Sequence, residues 1–270
     1  MRDLSLISHV VLDMDGTLYK GSRIFAQTVP FLESIGKLGI GRTFLTNNTS
    51  RSKVEYVTKL RQMNIDASAE EIYTPAESVF VYLRDRLPEV RRVAILGTPS
   101  LVEEFQEHGF APDWDAPEAV VVGFDTTLTF DRLCRTAYWI NCGLPFLATH
   151  PDLVCPTDLP TVLVDCGAVC ACLTAATGKK PVVFGKPNPS ILHELLDRLQ
   201  LKPEEMLMVG DRLYTDMKMA REAGVPSALV LTGETNGEQA NALATKPDFV
   251  VADVGQLGEM LAKARALARP

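Results

Sequence analysis

The chain has 270 residues, of which 46% are hydrophobic and 23% charged, and its mean hydropathy is +0.06. That composition speaks against a disordered, fibrous or coiled-coil chain and leaves room for one large α/β domain or two unequal ones. With 27 basic against 34 acidic side chains the formal charge is −7. Such a chain gains nothing by counterion release along a nucleic-acid backbone, which argues against nucleic-acid binding.

In chain order, short β-branched runs alternate with helical patterns, the signature of parallel βαβ units. A strand is predicted at 9–12, followed by a glycine-containing loop and a helix on which Phe31, Leu32, Ile35 and Leu38 recur. A second strand at 42–45 precedes a helix carrying Val54, Val57, Leu60 and Met63. Thr74-Pro-Ala-Glu77 reads as a capping box with Pro75 in the first turn, opening a helix to about Leu87. A further series follows: strand 92–96, a helix from Pro99, strand 119–123, a helix through Leu133 and Tyr138, and strand 146–149. Proline and glycine crowd 151–167. Beyond them come strand 182–184, a helix opened by Asn188-Pro189, strand 207–209, a helix from Asp216, and strands 228–231 and 249–252.

The longest run without charged residues, 136–151, is interrupted by Asn141, Gly143, Pro145 and His150. It is too short and too polar for the ~20 apolar residues of a membrane span. The opening residues include Asp3 and lack an apolar block ahead of a small-residue cleavage site, so a cytoplasmic location is expected. The six cysteines follow no disulfide or zinc spacing, and Cys166, Cys170 and Cys172 read as small apolar residues packing a helix on a sheet.

Four segments carry chemistry, each placed just past a predicted strand. Asp13-Met-Asp15-Gly-Thr17 delivers two carboxylates to the carboxyl end of the first strand, where open parallel sheets form their sites. Thr46-Asn47-Asn48 ends the second strand with a hydroxyl and two amides suited to phosphate oxygens. Gly185-Lys186-Pro187 brings an ammonium, and Gly210-Asp211 through Asp216 adds two more carboxylates. Such groups hold a phosphate and a hard divalent cation.

In these four segments and their order the chain resembles phosphatases of the haloacid dehalogenase superfamily, and most of all the NagD-like, p-nitrophenyl phosphatase-type branch. The resemblance extends over nearly the whole chain. It implies an α/β fold: a three-layer, Rossmann-like core with a parallel sheet from 1–88 and 181–270, and an inserted α/β cap from 89–180 that selects the substrate. It implies Mg²⁺ as cofactor, held by Asp13, the backbone carbonyl of Asp15, and Asp211. Asp13 would be the nucleophile and Asp15 the general acid and base. Thr46, Asn47 and Lys186 would hold the phosphate, with Asp216, Asn48 and Gly210 in support. The expected substrate is a small phosphorylated metabolite, with neither nucleic acid nor membrane as partner, and a homodimer through the cap is a state the resemblance allows. His150-Pro-Asp152 and the following Cys155-Pro156 are candidates for contact with the leaving group. The chain departs from the branch at 164–167, where relatives commonly have a PGxG turn and this sequence has Val-Asp-Cys-Gly. Two alternatives stay open: a phosphotransferase or phosphomutase on the same fold, and a catalytically silent phospho-ligand-binding regulator. A receiver-type signalling module is disfavoured by Asp15 and by the insertion.

Overall fold

The computed structural model describes residues 2–155, 161–243 and 245–268. Its internal contacts divide the chain into two compact units. Unit 1 comprises Met1–Thr46, Val57–Tyr73 and Pro187–Pro270, and unit 2 comprises Asn47–Tyr56 and Thr74–Lys186.

Unit 1 is built on a six-stranded parallel sheet in the order Phe249–Val251, Ser227–Val230, Met206–Gly210, His9–Asp13, Gly41–Leu45, Ile72–Tyr73. All five residues of His9–Asp13 are buried, the pattern of a strand covered on both faces. Val11 packs with Leu192 and Leu195 of the helix Ser190–Leu199 and with Met219 of Lys218–Ala223. Val10 and Leu12, equally buried, point to the opposite layer. The chain leaves the first strand toward one edge of the sheet and later returns to fill the other. That reversal makes the carboxyl ends of His9–Asp13 and its two neighbours the switch point where ligands bind in such sheets.

Unit 2 has its own five-stranded parallel sheet, ordered Val182–Val183, Phe146–Ala148, Ala119–Val122, Arg92–Leu96, Ala111–Pro112. Its strands sort their side chains by alternation. Val93, Ile95 and Val121 join Phe80, Phe105 and Phe110 in one cluster, while Ala94, Leu96, Val120 and Val122 join Ile140, Cys166, Cys170 and Leu173 in another. Two of the cysteines thus act as small core hydrophobes. The helix Pro75–Arg86 contributes Ala76, Val79, Phe80 and Leu83 to the first cluster. Unit 2 therefore takes in 47–56, 74–88 and 181–186, expected in the core, as well as the 89–180 expected of an inserted domain.

Several local features differ from the sequence reading. The Thr74 hydroxyl donates to Glu104 at 3.1 Å and makes no cap hydrogen bond, so the helix starts on Pro75 without its capping box. The segment expected to open a helix at Asp216 begins earlier, as a π-helical turn over Leu213–Met217 that runs into Lys218–Ala223. Within the Pro/Gly-crowded stretch, Val154–Cys155 pairs antiparallel with Leu163–Val164. The helix Val254–Leu267, opened by Asp253, closes the described chain. No described helix is long and apolar enough to cross a membrane.

Candidate active site

Three carboxylates meet in unit 1. Asp13 is the last residue of its strand, buried, and accepts a hydrogen bond from the Thr17 hydroxyl at 3.1 Å. Asp211 directly follows Met206–Gly210, and its Oδ2 accepts from the Glu234 N–H at 2.6 Å while its buried Oδ1 accepts no hydrogen bond. Asp216 sits fully buried in the π-helical turn, with its Oδ2 accepting from the Arg212 N–H at 3.2 Å. One oxygen from each of the three lies within 4.8 Å of the others. Glycines make room for this crowding. Gly16 turns the chain at φ +94°, and a Cβ there would lie 2.5 Å from Asp211 Oδ2. At Gly210 a Cβ would lie 2.4 Å from the Asp216 carboxyl carbon.

The electrostatic cost of the cluster shows at Asp211. Burial, then the charges of Asp13 and Asp216, push its carboxyl up to about 7. Three hard oxygen donors, one of them buried without a hydrogen-bond partner, fit a hard divalent cation, which would remove the repulsion. Asp216, expected only in support, is thus brought together with Asp13 and Asp211. Arg212, which the sequence reading passed over inside the same segment, pairs through Nε with Glu234 at 3.1 Å and faces the charges of Asp13 and Asp211. Its signal was its position next to Asp211. Asp15 is exposed, and partial enclosure by protein together with the Asp13 charge raises its carboxyl, against the pull of Lys59 and of the Gly21 N–H. Thr46 is buried at the end of Gly41–Leu45, its N–H donating to the Tyr73 carbonyl at 3.2 Å.

Asn47, Asn48, His150, Asp152, Cys155 and Lys186 belong to unit 2. There the Asn47 carboxamide is fully engaged. Its Oδ1 accepts from the Lys186 N–H at 2.7 Å, and its Nδ2 donates to the Lys186 carbonyl at 3.0 Å and faces both Asp152 oxygens at 3.2 Å. The Asn47 side chain thus ties three segments of its own unit together. Asn48 accepts from the Ser50 N–H and turns its Nδ2 toward Cys155 Sγ at 3.5 Å. His150 has no exposed surface, so in this conformation it does not touch a leaving group. Its Nδ1 lies 3.7 Å from Asp152 and its Nε2 3.4 Å from Asp165, a residue not among the sequence candidates. Pro156 lies outside the described residues. Of the other histidines, His9 meets the Thr43 hydroxyl at 2.9 Å and His108 stacks on Phe80, both structural roles.

Comparison with known proteins places this architecture. The profile described as haloacid dehalogenase-like hydrolase matches residues 10–111, and a second, HAD-hydrolase-like, matches 183–257. The crystal structure of a 4-nitrophenylphosphatase from Thermotoga maritima superposes with a TM-score of 0.90 at 38% identity, over 95% of this chain and 98% of that one. The ribonucleotide monophosphatase NagD of Escherichia coli K12 is 28% identical over 93% of this chain and 98% of its own. A glycerol phosphate phosphatase from Mycobacterium tuberculosis, solved in complex with magnesium, gives a TM-score of 0.86 at 31% identity, over 97% of this chain and 80% of that one. With the acidic segments seated at the strand ends of a switch-point sheet and relatives matched over almost their whole length, the chain belongs to the haloacid dehalogenase-like hydrolases, in their NagD-like, p-nitrophenyl phosphatase-type branch.

Proposed function

We propose that this phosphatase hydrolyses small phosphomonoesters with Mg²⁺ through an aspartyl-phosphate on Asp13. The observation that carries the reading is the convergence of Asp13 and Asp211, at the ends of adjacent parallel strands, with Asp216 of the π-helical turn. These three, with the Asp15 backbone carbonyl, would hold Mg²⁺, whose positive charge offsets that of the phosphate and of the carboxylates themselves. The magnesium complex of the M. tuberculosis relative supports the choice of ion.

Asp13, the residue at the strand end, attacks phosphorus, and the ester oxygen leaves with the proton of Asp15. The raised carboxyl of Asp15 suits it to carry that proton. The same residue then takes a proton from the water that cleaves the acyl phosphate, which frees inorganic phosphate and restores Asp13. The Thr46 hydroxyl and the Lys186 ammonium hold phosphate oxygens. Because the Asn47 carboxamide is engaged, we assign its main-chain N–H to the same task. Unit 2 serves as the cap that selects the leaving group. The relatives' names span p-nitrophenyl, ribonucleotide and glycerol phosphates, a range that points to small phosphorylated metabolites as the class.

The test is a panel of phosphorylated metabolites with and without Mg²⁺, read for both free phosphate and transfer products. Hydrolysis that a chelator abolishes, with ³²P trapped on the enzyme by acid quench, is the expected result. Transfer products in place of phosphate would make the chain a phosphotransferase, and chelator-resistant turnover would remove the cation from the scheme.

A further inference from the structure

Unit 2 buries a second group of titratable side chains, for which the proposed chemistry has no use. The His150 side chain has no exposed surface, and neither ring nitrogen makes a hydrogen bond. The charged groups that face it are two carboxylates, one at each nitrogen: Asp152 Oδ2 at 3.7 Å from Nδ1 and Asp165 Oδ1 at 3.4 Å from Nε2. One ring nitrogen and one oxygen from each carboxylate also lie within 4.8 Å of one another. The arrangement is an imidazole flanked by two acids, with neither ring nitrogen held by a hydrogen bond.

The backbone holds this bracket closed. The Asp165 N–H donates to the Leu153 carbonyl at 3.0 Å, and the Gly167 N–H donates to the Asp152 carbonyl at 2.8 Å. A Cβ at Gly167 would lie 2.1 Å from the Pro151 carbonyl oxygen, so only glycine permits the approach. From Asp152 the connection continues to the Asn47 Nδ2, and from Asn47 to both the N–H and the carbonyl of Lys186.

We infer that His150 and Asp165 are positioning residues of the phosphate site, which fix Asp152 from behind so that it holds Asn47, and through Asn47 the backbone of Lys186. The inference rests on the reading of Asn47 and Lys186 as phosphate-holding groups. Burial favours the neutral form of both partners, lowering His150 to about 4 and raising Asp165 to about 7. Between those values Asp165 keeps its proton facing Nε2, and the Nδ1–H of a neutral ring faces the Asp152 carboxylate. Small closing movements would turn both approaches into hydrogen bonds.

The experiment measures p-nitrophenyl phosphate hydrolysis with Mg²⁺, inhibition by inorganic phosphate, and thermal melting. The variants are His150→Ala, Asp165→Asn, Asp165→Ala, Asn47→Ala, Lys186→Ala and the double variant His150→Ala/Asn47→Ala. His150→Ala should lower kcat/KM by about ten- to a hundred-fold, the cost of a misplaced binding group, and weaken phosphate inhibition in step. In the Asn47→Ala background the same change should cost less than about two-fold, because its route to the phosphate is already cut. Asp165→Asn, which keeps an N–H for Nε2, should retain more activity than Asp165→Ala. Val121→Ala, a core change in the same unit, should lower Tm and leave kcat/KM in place. Fully additive losses, or an unchanged kcat/KM and phosphate inhibition in His150→Ala, would overturn the inference. So would a stoichiometric metal ion, found by elemental analysis, that is lost with His150. If His150→Ala does not fold, the two Asp165 variants decide. Parent-like activity in both Asn47→Ala and Lys186→Ala would instead overturn the phosphate-site reading, and the inference with it. Activity lost in those two but additive with His150→Ala removes the inference alone.

Discussion

The clustered acids of unit 1 and those of unit 2 meet the same electrostatic problem in different company. In unit 1, Asp13, Asp211 and Asp216 converge on one point with like charges, and the Arg212 guanidinium faces two of them. In unit 2, Asp152 and Asp165 share their space with an imidazole, and a proton held by Asp165 eases its repulsion with Asp152. Three acids together create a demand for a cation, whereas two acids beside an imidazole ease part of their repulsion with a proton. Both groups bring one atom from each of three residues within 4.8 Å, and the imidazole in unit 2 tells them apart.

The comparison breaks most visibly at Asp13. Asp13→Asn should lower kcat for p-nitrophenyl phosphate by more than about a thousand-fold, since an amide of the same shape is no nucleophile. Tm should stay within a few degrees. Full turnover in Asp13→Ala would end the nucleophile assignment. Next in size is Asp15→Asn. Loss of the proton donor should cost alkyl phosphates about a hundred-fold or more, but p-nitrophenyl phosphate far less, because its phenolate leaves unaided. Equal losses for both would deny Asp15 that role.

Asp211→Asn tests the demand for a cation. At a hundred times its dissociation constant a bound ion stabilises the fold by about 2.7 kcal/mol, and the variant should lose most of the Mg²⁺-dependent rise in Tm. Without metal the variant should melt above the metal-free parent, since one of three repelling acids is gone. An undiminished Mg²⁺ shift would place the ion elsewhere.

The subtlest test addresses the shared proton. His150 is held near 4, below its ordinary 6.5, and Asp165 near 7, above its ordinary 3.8. Between about pH 4 and 6.5 the folded pair carries one proton on Asp165, and the unfolded pair carries one on the histidine, so their contributions cancel. In Asp165→Asn only the histidine remains. The unfolded chain then takes up a proton below 6.5 that the folded chain refuses until about 4, and stability falls as pH falls, by about 1.4 kcal/mol per unit. Urea unfolding at pH 7 and 5 reads the slope, and a parent-like slope would mean that the two groups titrate independently.

Asp13 and Asp211 were legible because one short segment carries both the apolar strand and the acid at its end. Asp165 was not. It stands fifteen residues from His150 in a stretch whose prolines and glycines suggested only loop, and the strands that bring it back, Val154–Cys155 and Leu163–Val164, are too short to leave a periodic signal. The use of Asn47 depends on partners 105 and 139 positions away, which no local pattern encodes. The helical character of Pro75–Arg86 was plain, yet its allegiance to unit 2 rests on Phe80 meeting Phe105 and Phe110. The π-helical turn that carries Asp216 leaves no pattern distinct from an ordinary helix start.

The position of His9–Asp13 in its sheet bears on how the molecule is made. Val11 pairs on one side with Thr43 and on the other with Met208, a neighbour synthesised about 200 residues later, or roughly 10 to 40 seconds at ribosomal speed. Throughout that interval the strand bearing Asp13 has one edge without its partner, and Asp211 and Asp216 do not yet exist. The sheet of unit 2, drawn entirely from 92–183, can finish while the chain is still growing. The nascent protein thus completes the sheet that carries His150 first, and every truncated product of translation ending before residue 206 lacks two of the three converging carboxylates.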